Sequence, residues 1–241
     1  MDTNRKTAVI VGVLYIIGTV AGVVSVFVMA PVLNDPLVQF PANQNRVAIG
    51  ALSVLIMALA LAMVPVMMFP IFKKYNETLA IGYVVFRGAL ETVCHFLYPI
   101  IWLSLLTLGQ EYIKVGAPQA SYIQTLSTLL LGAGEWGSQI LNIVFSLGAL
   151  MFYYFLYQTK LIPRWISGWG LIGATLYLAW PLLTLFGTEI EFLFIPLALQ
   201  EMVLAVWLIV KGFKPSAMLP DLSKQIKRSV TVQSWGSYPP A

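Results

Sequence analysis

The sequence predicts an all-α fold, a polytopic transmembrane bundle of about six spanning helices with both termini cytoplasmic. Three observations predict it. Apolar residues make up 59% of the chain and charged residues 10%, with a mean hydropathy of +0.83, whereas soluble domains carry roughly a quarter charged residues. The apolar residues fall into successive runs, each near or above the ~20 residues that cross a hydrocarbon core. Lys and Arg gather in alternate gaps between those runs, the pattern of short cytoplasmic loops.

The runs are Ala8 to Met29, Val47 to Phe69, Leu79 to Leu108, Leu126 to Tyr157, Ile166 to Phe186 and Phe192 to Val210. A basic start at Arg5-Lys6 and the small residue Ala30 give the first run some likeness to a cleavable signal peptide. At about 22 residues it exceeds the 7 to 15 of a signal core, and Gly18 and Gly22 give it a close-packing face, so it is read as a retained span. Ala58 with Ala62, and Gly170 with Ala174, are further small-residue contacts of the same kind. The third and fourth runs are longer than a crossing needs and are expected to tilt or project, with Gly132 and Gly134 marking an irregular start to the fourth. Pro65, Pro70, Pro99, Pro181 and Pro196 each remove a backbone donor and predict kinks or helix ends. Trp102, Trp165, Trp169, Trp180 and Trp207, with Tyr153, Tyr154 and Tyr157, are expected as interfacial anchors.

Loop charges set the orientation. Arg5, Lys6, Lys73, Lys74, Lys160, Arg164, Lys211 and Lys214 fall on one side; the other has only Arg46 and Lys114, with the acids Asp35, Glu111, Glu189 and Glu191. The chain thus divides into a six-span domain over residues 1–213 and a proline- and serine-containing basic tail over 214–241. Lys224, Lys227 and Arg228 in that tail are suited to anionic lipid. The net charge of +4 therefore speaks of membrane orientation, and no nucleic-acid partner is implied.

The most informative residues are polar ones inside the runs, because a charge in hydrocarbon needs a compensating reason. Arg87, Glu91 and His95 are spaced by four and share one stripe of the third span. At ~1.5 Å per residue, Glu91 lies about 18 Å from Leu79, and Glu201 about 13 Å from Phe192 at the opposite face. Across a core of ~30 Å the two carboxylates reach nearly one level. Glu135, Gln139 and Asn142 form a stripe on the fourth span, and Gln200 adjoins Glu201.

If these stripes converge, Arg87, Glu91, His95, Gln139, Asn142, Gln200 and Glu201 line a site for a small ligand, a lipid headgroup or a proton. The bland alternative is an Arg87–Glu91 ion pair that fixes helix register, making the protein structural or accessory. The third is an intramembrane metal-dependent enzyme using Glu91, His95, Glu135 and Glu201, for which a single histidine is a poor start. No phosphate loop, G-x-S-x-G elbow or H-E-x-x-H helix is present, so no catalytic residue is assigned and the cofactor is open. Cys94 stands alone and cannot form an internal disulfide.

Four stretches taken together resemble a bacterial integral-membrane family, domain of unknown function 4386. They are GVLYIIGTVAG at Gly12–Gly22, LAIGYVVFRGALE at Leu79–Glu91, LYQTKLIPRWISGWGLIG at Leu156–Gly173 and PLALQEMVLAVWLIVKGF at Pro196–Phe213. The resemblance covers most of residues 8 to 213. It implies a bacterial cytoplasmic-membrane protein and brings no activity, cofactor or catalytic residue. Arg87, Glu91, Gln200 and Glu201 lie inside the resembling stretches.

Overall fold

The computed structural model describes residues 3–115, 117–188 and 190–214, which form helices and no strand. Six helical segments are long and apolar enough to cross a membrane, the number the hydropathy runs predict. The first two spans are α1 (Thr3–Met29) and α3 (Gln44–Phe72), linked by a short helix α2 (Pro36–Ala42). The third is compound, with α4 (Glu77–Tyr83), a π-helical stretch (Val84–Leu90) and α5 (Glu91–Lys114) following without a break. The fourth and fifth are α6 (Ala117–Thr159) and α7 (Arg164–Leu185), and the sixth, α8 (Ile195–Val210), is entered through a single 3-10 turn at Glu191–Phe194.

The spans are arranged in a closed ring that follows chain order. Each packs against the next, and α8 returns to α1. Nothing apolar is gained by leaving hydrocarbon for a helix interface, so close backbone approach and van der Waals packing hold such a ring together. Gly12 shows how tightly: a Cβ there would sit 2.7 Å from the Ala205 carbonyl oxygen, which closes the ring between α1 and α8. Tyr153 on α6 lies against Gly170 of α7, and Gly173 lies against the Leu197 backbone of α8. The largest core cluster joins Tyr15, Phe72, Tyr83, Phe152 and Tyr153 from α1, α3, α4 and α6. A smaller one, around Met29, Phe40 and Leu105, packs α2 beneath the far ends of α1 and α5.

With an even number of spans, Thr3 and Lys214 share one end of the bundle. Arg5 ties them together, donating to the carbonyls of Leu208 (3.0 Å), Ile209 (2.6 Å) and Val210 (3.1 Å). A cation on the last, otherwise unpaired carbonyls of a helix satisfies them and complements the helix dipole. Replacement Arg5→Ala is expected to cost about 1.5–3 kcal/mol, the range for hydrogen bonds to a charged group. The loss will be local, so amide hydrogen exchange should accelerate over the last turn of α8 while the buried amides of α6 keep their protection.

Several expectations need correction. Gly132 and Gly134 do not begin the fourth span irregularly; both lie within an unbroken α6, where its flanking residues are good helix formers. The prolines expected to mark kinks or ends divide: Pro65, Pro70, Pro99 and Pro181 lie inside helices, and Pro196 sits at a helix start. Neighbouring helices in a bundle re-satisfy the carbonyl each proline leaves free. Tyr153 is not an interfacial anchor: it is fully buried, whereas Tyr154 and Tyr157 beside it are exposed. The tail residues Lys224, Lys227 and Arg228, and Glu189, lie outside the described residues.

Candidate functional site

The site begins with a change of helical pitch. Over Val84–Leu90 the backbone widens to a π-helix, and the Glu91 N–H bonds the carbonyl of Phe86, five residues back. The Thr92 hydroxyl donates to the Gly88 carbonyl at 2.6 Å in the same region, helping the ladder return to α-helical spacing. π-Helical turns recur at functional sites because they rotate side chains off the ordinary α-helical face. Arg87 occupies the middle of this turn and is 2% exposed. On α6, Gly148 faces it, and a Cβ at that position would lie 3.2 Å from Arg87 Cβ and 3.3 Å from its backbone nitrogen.

Two carboxylates share the Arg87 guanidinium. Nη1 donates to Glu91 Oε2 at 3.0 Å, one turn along the same rod, and Nη2 donates to Glu201 Oε1 at 3.4 Å from α8. Glu91 is as buried as Arg87, while the Glu201 side chain keeps 16% exposure. The Phe145 ring lies 4.5 Å from the guanidinium carbon and the Tyr15 ring 5.9 Å, so α6 and α1 supply π-faces to the charge. Arginine suits this place because its planar fork addresses two acceptors at once and tolerates aromatic stacking. The charge sum is the notable property. Arg87 with both carboxylates ionised carries one surplus negative charge, and a single proton makes the trio neutral.

The other predicted residues divide. His95 is buried one turn beyond Glu91, with Nδ1 3.0 Å from the Glu91 backbone carbonyl. A carbonyl only accepts, so Nδ1 carries the hydrogen and Nε2 is left as an acceptor. Asn142 is buried and accepts from the Tyr177 hydroxyl at 3.1 Å, and the Ser146 hydroxyl donates to its backbone carbonyl at 2.6 Å. Gln200 is fully buried but turns to α7, donating to the Ile166 carbonyl at 3.0 Å and leaving its own Oε1 without a partner among the described residues. Gln139 Oε1 is also buried without a partner among the described residues, and Glu135 is exposed. Among the described residues no three of His, Cys, Asp and Glu gather in a metal-holding group, so Glu91, His95, Glu135 and Glu201 do not form one ligand set.

Sequence reasoning missed the aromatic lining. Tyr15, Tyr83 and Tyr153 are each at most 1% exposed, and among the described residues the hydroxyl of Tyr153 has no hydrogen-bond partner. Tyr83 was within reach, since it precedes Arg87 by four residues on a helix and so shares its face. For Tyr153, flanked by Tyr154 and Tyr157, spacing offered no way to choose the inward ring.

A family model described as Domain of unknown function (DUF4386) matches residues 10–212. No curated protein and no solved structure matches the chain.

Proposed function

Since the chain belongs to the DUF4386 family, whose description assigns no activity, we propose a function from its buried charge cluster. The protein is a multi-pass component of the bacterial cytoplasmic membrane, with both termini cytoplasmic, that binds a small exchangeable species inside the bundle as a carrier, sensor or binding component. The species the cluster suits best is a proton. One observation carries this reading: Arg87 is held between carboxylates of two different spans, one cation to two anions, in a place with almost no solvent. Uncompensated charge is costly in hydrocarbon, and a proton is the smallest species that balances the trio.

Orientation rests on the exposed basic residues at the end that holds Thr3 and Lys214, namely Lys6, Lys73, Lys74, Lys160, Arg164 and Lys211, as the positive-inside rule requires. The bilayer is the partner this surface calls for. Anionic lipid at the basic tail belongs to the same reading.

The test uses wild type, Glu91→Gln and Glu201→Gln in lipid nanodiscs. Each variant leaves Arg87 one carboxylate, hence a neutral pair, and should stay folded by its melting curve. The acid-minus-base infrared difference spectrum of wild type should contain a carboxyl band that both variants lose, because the proton belongs to the pair of carboxylates. Folded variants that retain the whole spectrum would remove the proton site. They would favour the second reading, supported by the dry Arg87–Glu91 contact, in which the cluster only fixes register.

A further inference from the structure

A second site, distinct from the charge cluster, lies towards the end of the bundle opposite the termini. A cavity of about 380 Å³ opens between α1, α3, α5 and α6, lined by Gly22, Ser25, Met29, His95, Tyr98 and Trp102 among others. Its volume falls in the range of small-molecule sites, which are mostly apolar with a few placed polar groups. No Asp, Glu, Lys or Arg lines it, so it offers nothing to a charged headgroup. On α1, Val26 of its lining and the neighbouring Phe27 are 67% and 77% exposed.

Two of its polar groups, on His95 and Ser25, present acceptors beside the O–H of Tyr98 and the N–H of Trp102. His95 is 8% exposed; its Nδ1 hydrogen is spent on the Glu91 carbonyl, so the ring edge turned from its own helix presents the Nε2 lone pair. Among the described residues nothing bonds that nitrogen. The Ser25 hydroxyl donates its hydrogen to the Gly50 carbonyl at 3.3 Å, leaving the oxygen as an acceptor too. Two acceptors in an uncharged apolar cavity are left unpaired unless an occupant brings a hydrogen to them, which is a discriminating arrangement. The rings of Tyr98 and Trp102, 6.0 Å apart, add flat apolar surface along α5.

We propose that this cavity binds an uncharged lipophilic alcohol, its hydroxyl donating to His95 Nε2 and its chain lying along α1 and α5 towards the bilayer. A fatty acid or phospholipid headgroup fits poorly, since no Lys or Arg lines the cavity to balance an anion. This site stands whether or not the Arg87 cluster exchanges a proton.

The test is photolabelling of the nanodisc-embedded protein with a diazirine-bearing long-chain alcohol, followed by peptide mapping. Adducts should concentrate in residues 22–33 and 95–102, and 1-dodecanol should suppress them while dodecane does not. His95→Phe keeps a ring but removes the acceptor and should weaken competition by dodecanol roughly tenfold, the equivalent of one hydrogen bond. Val54→Phe fills the cavity from α3 and should abolish labelling there with the cluster's infrared band intact. Adducts spread evenly over the lipid-facing helices, equal competition by dodecane, or His95→Phe behaving as wild type would each overturn the site. None of these results touches the proton reading, whose variants are at Glu91 and Glu201.

Discussion

Arg87→Gln is expected to lower stability by about 3–5 kcal/mol, the cost of removing one partner from a buried ion pair. The change strips the guanidinium shared by both carboxylates from a place where Glu91 is 2% exposed and Glu201 is 16% exposed. Two carboxylates are then left in low dielectric without the guanidinium that both accept from. Arg87→Lys should recover part of the loss, since an ammonium restores the charge but lacks the fork that reaches Glu91 and Glu201 together. The informative comparison is the triple change Arg87→Leu, Glu91→Gln and Glu201→Gln. Well-packed neutral replacements of buried ionic groups are often as stable as the original, so the triple variant should melt well above Arg87→Gln. Thermal melts in nanodiscs check the series. An Arg87→Gln midpoint within about 2 °C of wild type, against the several degrees a 1 kcal/mol loss produces in a chain of moderate size, would mean that water reaches the cluster and pairing is unimportant.

The recovery experiment also separates stability from function. If the neutral triple variant is stable, the charges are retained for something other than holding the bundle together, and the proton or ligand reading gains. Ion pairs that only maintain structure are replaceable by packing. A triple variant as unstable as Arg87→Gln would instead tie the charges to the fold itself.

What the sequence disclosed, and what it withheld, follows from the ranges of the interactions concerned. Spans were legible because hydrocarbon thickness imposes a length on apolar runs, and the six helices coincide closely with the six runs. Arg87 and Glu91 were legible as a pair because i, i+4 spacing alone brings them together. Glu201 joined them on depth, a count along each helix from opposite faces. Depth could not reveal lateral position, and Gln200 illustrates the limit: at the same level as Glu201, it points to Ile166 on α7 and away from the guanidinium. The π-helical turn left no trace in hydropathy, since widening by one residue changes the ladder without altering which residues are apolar. The cavity at His95 was equally invisible. It depends on Gly22 and Ser25 of α1 coming together with Val54 and Met57 of α3, His95 of α5 and Leu141 of α6, a relation between distant segments that no local pattern encodes.

The second large effect is expected at Gly148, a residue with no polar chemistry. Its place opposite Arg87 leaves only 3.2 Å between an added β-carbon and Arg87 Cβ, and 3.3 Å to the Arg87 nitrogen. The nearest atoms belong to the backbone of the π-helical turn and to the stem of a side chain fixed at its other end by two carboxylates, so they yield little. Gly148→Ala asks for a shift of a few tenths of an ångström and is expected to cost about 1 kcal/mol, at the low end for overpacking. Gly148→Leu must push α6 away from the turn or bend Arg87 out of line, for about 3 kcal/mol or more. The control lies on the same helix: at Gly132 a β-carbon meets nothing within 4 Å, so Gly132→Leu should stay within about 0.5 kcal/mol of wild type, as changes away from packed features do. Melting midpoints rank the three variants, and the carboxyl infrared band reports whether Gly148→Leu also loses the cluster. Loss of that band together with stability would show that the close approach of α6 sets the aim of the guanidinium. Its survival at lower stability would show instead that Glu91 and Glu201 hold Arg87 in place without help from α6.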